Sequence, residues 1–139
     1  MSDIHHNDSS AEPVLLASAS PRRRKILEDL GVAFDTAVPD VEEVHHPERA
    51  RHSALENASR KYAWARAQFP GRRIISADTV IDFAGRCVGK PDSMEAAEAM
   101  FRAFSGREHA VLTAVGLTGA DGESSLQVIE SRVRFRQLD

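Results

Sequence analysis

The sequence has 139 residues, of which 42% are hydrophobic and 28% are charged, and its formal net charge is -3. This length and composition predict one globular domain and argue against wholesale disorder. The acidic balance argues against nucleic acid as the main partner, and no apolar run approaches the roughly 20 residues of a membrane span. The one cysteine, Cys87, excludes a disulfide within the chain and is typical of a cytoplasmic protein. The polar residues 1–12 predict a flexible tail before a domain that spans residues 13–139.

The first structured stretch reads as a strand, a turn and a helix. The apolar run Val14–Ala17 predicts a short buried strand. Ser20 stands where a helix N-cap belongs, Pro21 suits the first helical position, and Gly31 is placed to end the helix. The apolar face predicted for this helix consists of Ile26, Leu27 and Leu30.

The first turn of this helix carries an unusual charge. Cations fill the run Arg22–Lys25, although the positive end of the helix dipole favours acidic residues. They repel one another unless an anion lies among them. Backbone N–H groups, arginine forks and the serines of the turn suit a phosphate group. The alternative is a solvated basic helix start, and the spacing alone does not decide between the two.

An acidic turn follows the second predicted strand, Val32–Val38. It contains Asp40, Glu42 and Glu43. From the residues alone, we interpret these acids as a solvated loop.

Two pairs of adjacent histidines invite a metal-site hypothesis. His45 and His46 follow the acidic turn, and His5 and His6 lie in the tail. Neighbouring residues rarely face one site, and only His52 lies near helical spacing. We therefore interpret both pairs as surface residues.

Residues 48–69 are predicted to form the longest helix, because apolar residues recur at steps of three and four. Its apolar stripe consists of Leu55, Ala58, Tyr62, Ala65 and Phe69. Lys61 lies beside this stripe, so its amine can reach over the edge of the core toward a cleft. The alternative is a lysine that extends along the helix flank into solvent.

The run from Arg73 to Ile81 predicts a buried strand that carries an aspartate, Asp78. Such a carboxylate is costly to desolvate, so it is typically hydrogen-bonded, bound to a metal or catalytic. The alternative is an aspartate that caps a turn. A hairpin follows, and Lys90 then lies in a turn, where a surface lysine is the simplest interpretation.

The remaining pattern predicts one more helix and further strands. Asp92 or Ser93 is expected to cap the helix. The predicted strands are His109–Leu117, Ser124–Ser131 and the alternating run Arg132–Arg136.

Several of these stretches together resemble the Maf family of nucleoside triphosphate pyrophosphatases. Ala17–Arg23 matches the family's first motif, A-S-x-S-P-R-R, and Ser76–Val80 matches the first five positions of the second, G/S-A-D-T-x-V. Gly89–Pro91 matches G-K-P. Met100–His109 is similar to M-L-x-x-L-S-G-x-x-H, and Thr113–Val115 to T-A-V. The resemblance covers nearly the whole chain, with the motifs in the family's order.

The resemblance implies an α/β fold, with a twisted mixed sheet flanked by helices and a nucleotide in a cleft at the strand ends. The implied reaction is hydrolysis of a nucleoside triphosphate to a monophosphate and pyrophosphate. Arg22 and Asp78-Thr79 resemble the subgroup that acts on dTTP and UTP rather than 7-methyl-GTP. Because the family is linked to arrest of cell division and septum formation, the alternative is a nucleotide-binding regulatory protein without turnover.

The resemblance also implies roles for individual residues. Asp78 would accept a proton from the attacking water, and Glu42 with Asp78 would hold a divalent cation, Mg²⁺ or Mn²⁺. Arg22 and Thr79 would set the substrate preference. The residues implied in phosphate binding are Ser18, Ser20, Arg22, Arg23, Lys61 and Lys90.

The family continues with a helix and a D-K-A-G-A-Y…Q-G motif, and the sequence ends at Asp139 without them. We therefore expect the C-terminal part of the fold to be missing and apolar faces to be exposed. An active enzyme, a homodimer that completes itself by association, and an inactive truncated family member remain as alternatives.

Overall fold

The structure, a computed structural model, describes residues 12–138. The predicted tail, apart from Glu12, lies outside the described residues. The strands are β1 (Val14–Ala17), β2 (Phe34–Ala37), β3 (Ile74–Phe83), β4 (Arg86–Val88), β5 (Glu108–Thr118) and β6 (Ser124–Arg134). The helices are α1 (Pro21–Asp29), α2 (Ala50–Gln68) and α3 (Met94–Phe104).

The strands form one mixed sheet in the order β2-β1-β3-β5-β6, with β4 also paired to β3. β1 runs parallel to β2 and β3, and the other pairs are antiparallel. The register pairs Ala17, the last residue of β1, with Ser76 of β3. Asp78 and Thr79 therefore lie just beyond the end of β1. The predicted α/β fold with a mixed sheet is confirmed.

The core lies between α2 and one face of the sheet. Ala54, Ala58 and Ala65 of α2 are fully buried, and such small side chains let the helix backbone approach the strands closely. Leu15 and Ile74 supply the larger buried side chains beneath the helix. Within residues 12–138, none of the helices is long and apolar enough to cross a membrane.

Capping residues and a glycine that the sequence pointed out lie at the ends of the helices. The Ser20 hydroxyl accepts a hydrogen bond from the Arg23 N–H at 3.3 Å, as expected of an N-cap. Gly31 has a φ of 72° just after α1, a conformation that favours glycine. Of the two caps predicted for α3, Ser93 is the one observed, because its hydroxyl accepts from the Ala96 N–H at 3.0 Å.

Two expectations differ from the structure. α1 buries no side chain, and Ile26 and Leu30 of its predicted core face are 50% and 70% exposed. The reason is that α2, and not α1, packs on the sheet among the described elements. The predicted break near Ser131 is absent, since β6 is continuous through Arg134. On this strand, Leu126 and Ile129 are 42% and 58% exposed.

Candidate active site

The turn after β1 ties α1 to the sheet through an arginine. Ser18 is buried, and its hydroxyl accepts from the Ser20 N–H at 3.1 Å and from Arg23 Nη1 at 3.2 Å. Arg23 Nη2 donates to Thr79 Oγ1 at 2.8 Å. The guanidinium thus joins the first turn of α1 to β3 and has a fixed orientation.

The charge of Arg23 is partly desolvated. Burial lowers the pKa of this guanidinium from its ordinary value, while the nearby charge of Asp78 opposes the shift and that of Arg22 adds to it. Arginine nevertheless stays protonated at neutral pH. Arg22 and Arg24 beside it are exposed. The helix start therefore presents one oriented cation and two solvated ones.

Asp78 lies on the face of β3 that packs against α2. Its Oδ1 is 3.2 Å from Lys61 Nζ, and its Oδ2 accepts from Asn57 Nδ2 at 3.4 Å. Burial raises the pKa of the Asp78 carboxyl above its ordinary value, and the charge of Lys61 only partly offsets this effect. A carboxylate with a raised pKa is a stronger base, which suits proton abstraction from water. The Lys61 amine therefore reaches over the edge of the core toward Asp78, and does not extend along the helix flank into solvent.

Thr79 points to the opposite face of β3, because successive side chains of a strand alternate. Its hydroxyl lies 3.0 Å from that of Thr113, its partner on β5, and also accepts the bond from Arg23. Consecutive residues of one strand therefore place a carboxylate on one face and a hydroxyl on the other, beyond the end of β1.

The acidic loop reaches this region through Glu43. The Glu43 carboxylate lies 3.4 Å from Lys61 Nζ. The predicted metal ligand, Glu42, has an exposed side chain, and its backbone carbonyl accepts from Arg60 at 3.3 Å. Asn57 holds the loop by accepting from the Val44 N–H at 2.8 Å and donating to the Val44 carbonyl at 2.9 Å.

Sequence reasoning missed Asn57 and Glu43. Asn57 precedes Lys61 by one helical turn on the same face of α2, so the spacing was a usable signal. Glu43 could not be chosen over its neighbour, because a loop has no period that fixes side-chain direction.

Some predicted site residues have no side-chain hydrogen bond or ion pair to Asp78 or Arg23 in the part of the chain that the structure describes. Lys90 is exposed after β4, and within residues 12–138 no hydrogen bond or ion pair joins it to Asp78 or Arg23. The predicted roles of Lys90, Arg22 and Glu42 therefore remain predictions. A cavity of about 220 Å³ lies instead near the start of β3, where Arg72 and Thr118 line it.

The donor set near Asp78 suits a hard divalent cation. Asp78 and Glu43 flank Lys61, and the charge of Glu43 contributes to raising the pKa of the Asp78 carboxyl, which shows that the two carboxylates repel each other. Carboxylate oxygens are the ligands that Mg²⁺ and Mn²⁺ prefer, and a cation between such groups relieves their repulsion. The residues present therefore fit the implied metal.

Comparison with known proteins identifies the family of this chain. Residues 13–139 match the family described as Maf-like protein. The chain belongs to the Maf family.

Curated relatives carry one common name. A "dTTP/UTP pyrophosphatase" of Akkermansia muciniphila is 39% identical over 127 residues, which cover 91% of this chain and 67% of that protein. The protein of the same name from Thermotoga maritima is 37% identical, covering 90% and 61%. That from Thermomicrobium roseum is 47% identical, covering 75% and 49%. This Maf chain thus spans between about half and two thirds of the length of these relatives.

A solved structure supports the fold. The Staphylococcus aureus Ham1 protein superposes with a TM-score of 0.52 at 20% identity, covering 88% of this chain and 70% of that one. The likeness extends to the architecture of the sheet and its helices.

Proposed function

We propose that this chain hydrolyses nucleoside triphosphates, with dTTP and UTP as preferred substrates, to the monophosphate and pyrophosphate. One observation carries the proposal: a buried carboxylate, Asp78, and an oriented cation, Arg23, lie beyond the end of β1, near enough for the charge of Asp78 to influence the pKa of Arg23. The proposed base and the proposed phosphate-binding group thus lie in one region of the structure. The names of the curated relatives support the substrate class.

In the proposed reaction, Asp78 accepts a proton from a water molecule while the water oxygen attacks the α-phosphorus. The bond from that phosphorus to the bridging oxygen breaks, and pyrophosphate leaves with the electron pair. The raised pKa of the Asp78 carboxyl strengthens it as a base, as long as the group is ionised. The ammonium of Lys61, 3.2 Å away, favours the ionised form of this carboxyl.

The cations would neutralise the triphosphate. Arg23 is held by Ser18 and Thr79, so little side-chain freedom is lost when it meets a phosphate oxygen. Exposed Arg22 and Lys90 would reach the outer phosphates. Ser20 and the hydroxyl hydrogen of Ser18 would donate to phosphate oxygens.

We further propose Mg²⁺ or Mn²⁺ as the cofactor, held by Asp78 together with Glu42 or Glu43. When bound, such a cation neutralises charge on phosphate oxygens and polarises the phosphorus–oxygen bonds. Substituting each glutamate by glutamine in turn, and following the metal concentration needed for half-maximal rate, identifies the ligand. We also propose a cytoplasmic location and a homodimer, the latter checked by sedimentation.

The deciding experiment measures pyrophosphate release from dTTP, UTP, 7-methyl-GTP and ATP with Mg²⁺ or Mn²⁺. We expect release from dTTP and UTP, and a fall of at least about 100-fold in Asp78→Asn, since general-base catalysis contributes that much. Asp82→Asn is the matched control, because Asp82 lies on the same face of β3 one hairpin pair from its turn. This control should retain the parent rate.

Two results would overturn the proposal. Turnover that persists in Asp78→Asn removes this carboxylate from the chemistry. A folded chain that binds dTTP without releasing pyrophosphate is a nucleotide-binding protein instead.

A further inference from the structure

A group of side chains away from Asp78 brings two imidazoles to one carboxylate. His46 lies in the loop after β2, and His52 and Glu56 lie one turn apart on α2. Glu56 Oε1 is 3.4 Å from His46 Nε2 and 3.2 Å from His52 Nε2. The three candidate ligand atoms all lie within 4.8 Å of one another. The structure thus brings His46 close to His52, the one partner that the spacing left open.

We propose that His46, His52 and Glu56 bind a divalent transition-metal ion of the Zn²⁺ class, separate from the cation implied at Asp78. Two nitrogens and one carboxylate oxygen are a donor set that Zn²⁺ takes, with solvent at the fourth position. Bond lengths of about 2.0–2.1 Å in a tetrahedron put neighbouring ligand atoms about 3.3–3.4 Å apart. The distances from Glu56 Oε1 to His46 Nε2, 3.4 Å, and to His52 Nε2, 3.2 Å, are close to this separation.

The second observation is an unsatisfied nitrogen. His46 Nε2 is buried and, within residues 12–138, has no aligned hydrogen-bond partner, although Glu56 Oε1 is 3.4 Å away. A buried polar atom without a partner is costly. A metal ion between this nitrogen and the carboxylate would satisfy both, which a misaligned N–H cannot do.

The backbone around His46 is already fixed in place. Its N–H donates to Ser53 Oγ at 2.9 Å, and its carbonyl accepts from the Arg49 N–H at 3.0 Å. The carbonyl of Pro47, the next residue, accepts from the Cys87 N–H of β4 at 2.6 Å. Little ordering is therefore needed to bring the loop ligand to the helix ligands, which favours binding.

The neighbouring charges leave one carboxylate oxygen free for the metal. Arg60 Nη2 binds Glu56 Oε2 at 2.9 Å, whereas both histidines approach Oε1. The His52 side chain is 43% exposed, so an ion can enter from solvent. Because imidazole nitrogens suit Zn²⁺ rather than Mg²⁺, the two metal sites of this chain would select different ions.

Metal binding would fasten the acidic loop to α2. Asn57 binds Val44 and Ser53 binds His46, so the loop between these contacts lies along the helix. A bond from the metal to His46 adds a third attachment between this loop and α2. Loop residues that face Asp78 would consequently move less.

The test uses Zn²⁺ alone with the untagged full chain, titrated against a chromogenic chelator. His5→Gln and His6→Gln are introduced throughout, so that tail histidines do not contribute. We expect one Zn²⁺ per chain, and a loss of affinity of at least about tenfold in His52→Gln and in Glu56→Gln. His45→Gln, the adjacent histidine, is the matched control and should keep the parent affinity.

Hydrogen exchange of loop amides supplies a second measurement, which zinc bound elsewhere on the chain would leave unchanged. The amides of Val44 and His46 should exchange more slowly with Zn²⁺ in the parent, and the effect should vanish in His52→Gln. Unchanged zinc affinity in His52→Gln overturns the proposal, and so does loss of binding in His45→Gln alone. Because the His52 side chain is 43% exposed, we expect its variant to stay folded, and thermal unfolding without metal checks this.

Discussion

The side chain of Asn57 connects Asp78 to the acidic loop. Its amide nitrogen donates to Asp78 Oδ2 at 3.4 Å and to the Val44 carbonyl at 2.9 Å, and its oxygen accepts from the Val44 N–H at 2.8 Å. One buried amide thus fixes both the orientation of the proposed base and the path of the loop that carries Glu43. Asn57 is a positioning residue in this arrangement.

Replacing this amide should change the acidity of Asp78. The hydrogen bond from Asn57 favours the charged carboxylate and lowers its pKa, so Asn57→Ala should raise the pKa of Asp78 further above its ordinary value. The loss of partners for Val44 should also destabilise the chain by about 1–3 kcal/mol. NMR titration of the metal-free protein and urea unfolding measure the two effects. Ser53→Ala removes the other loop clamp, so it should reduce stability and leave the pKa of Asp78 unchanged; equal shifts in both variants would contradict the assignment.

The stability of Asp78→Asn should depend on pH in a defined direction. Because burial raises the pKa of Asp78, the folded state holds this proton more tightly than the unfolded state. The Asp78 carboxyl therefore contributes stability below its ordinary pKa, and this contribution is lost as the pH rises through the raised pKa. The asparagine variant lacks this loss, so its stability relative to the parent should increase between acidic and neutral pH. Urea unfolding across this range, with a chelator present, checks the trend, and a decreasing difference would contradict it.

The two bonds of Arg23 predict that lysine cannot replace it. The guanidinium reaches Ser18 and Thr79 together, and a lysine ammonium has no planar fork to do so. Arg23→Lys should weaken binding of a non-hydrolysable dTTP analogue by about tenfold, which corresponds to about 1.4 kcal/mol for one charged hydrogen bond. Calorimetric titration measures it. Arg24→Lys, one residue along the exposed side of α1, should bind like the parent, and equal losses would indicate a general charge effect.

Gly116 should tolerate no side chain. A Cβ at this position would lie 2.5 Å from Ser76 Oγ and 3.2 Å from the Tyr62 ring. The Ser76 hydroxyl donates to the Ala58 carbonyl at 2.8 Å, so it cannot turn away without losing that bond. Gly116→Ala should therefore lower the free energy of unfolding by about 1–3 kcal/mol. Gly89→Ala is the control, because nothing lies within 4 Å of a Cβ there; a comparable loss in the control would show that crowding is not the cause.

Much of this fold could be predicted because its signals are local. The cap at Ser20, the turn at Gly31 and the apolar strand that leads into Asp78 are each encoded by a few adjacent residues. The side-chain alternation of β3 fixes which of Asp78 and Thr79 faces α2 once the helix is in place. The order of the strands has no such local code, and the family resemblance implied only a twisted mixed sheet flanked by helices.

Contacts between the loop and α2 could not be predicted. The loop has no repeat, so the sequence did not show that Glu43 rather than Glu42 would approach Lys61. The convergence of His46 on Glu56 likewise depends on how the loop is held by Ser53. The apolar face of α1 was overestimated, since periodicity reports which residues share a face and not whether another element covers it.

The two halves of the proposed site belong to elements that will come apart at different points of unfolding. Arg23 stands on α1, which buries no side chain, whereas Asp78 stands on the central strand of the sheet beneath α2. Elements with little buried surface open first. Mild denaturant should thus release Arg23 while Asp78 remains in place, leaving a chain that is folded by most spectroscopic measures and unable to bind the proposed nucleotide.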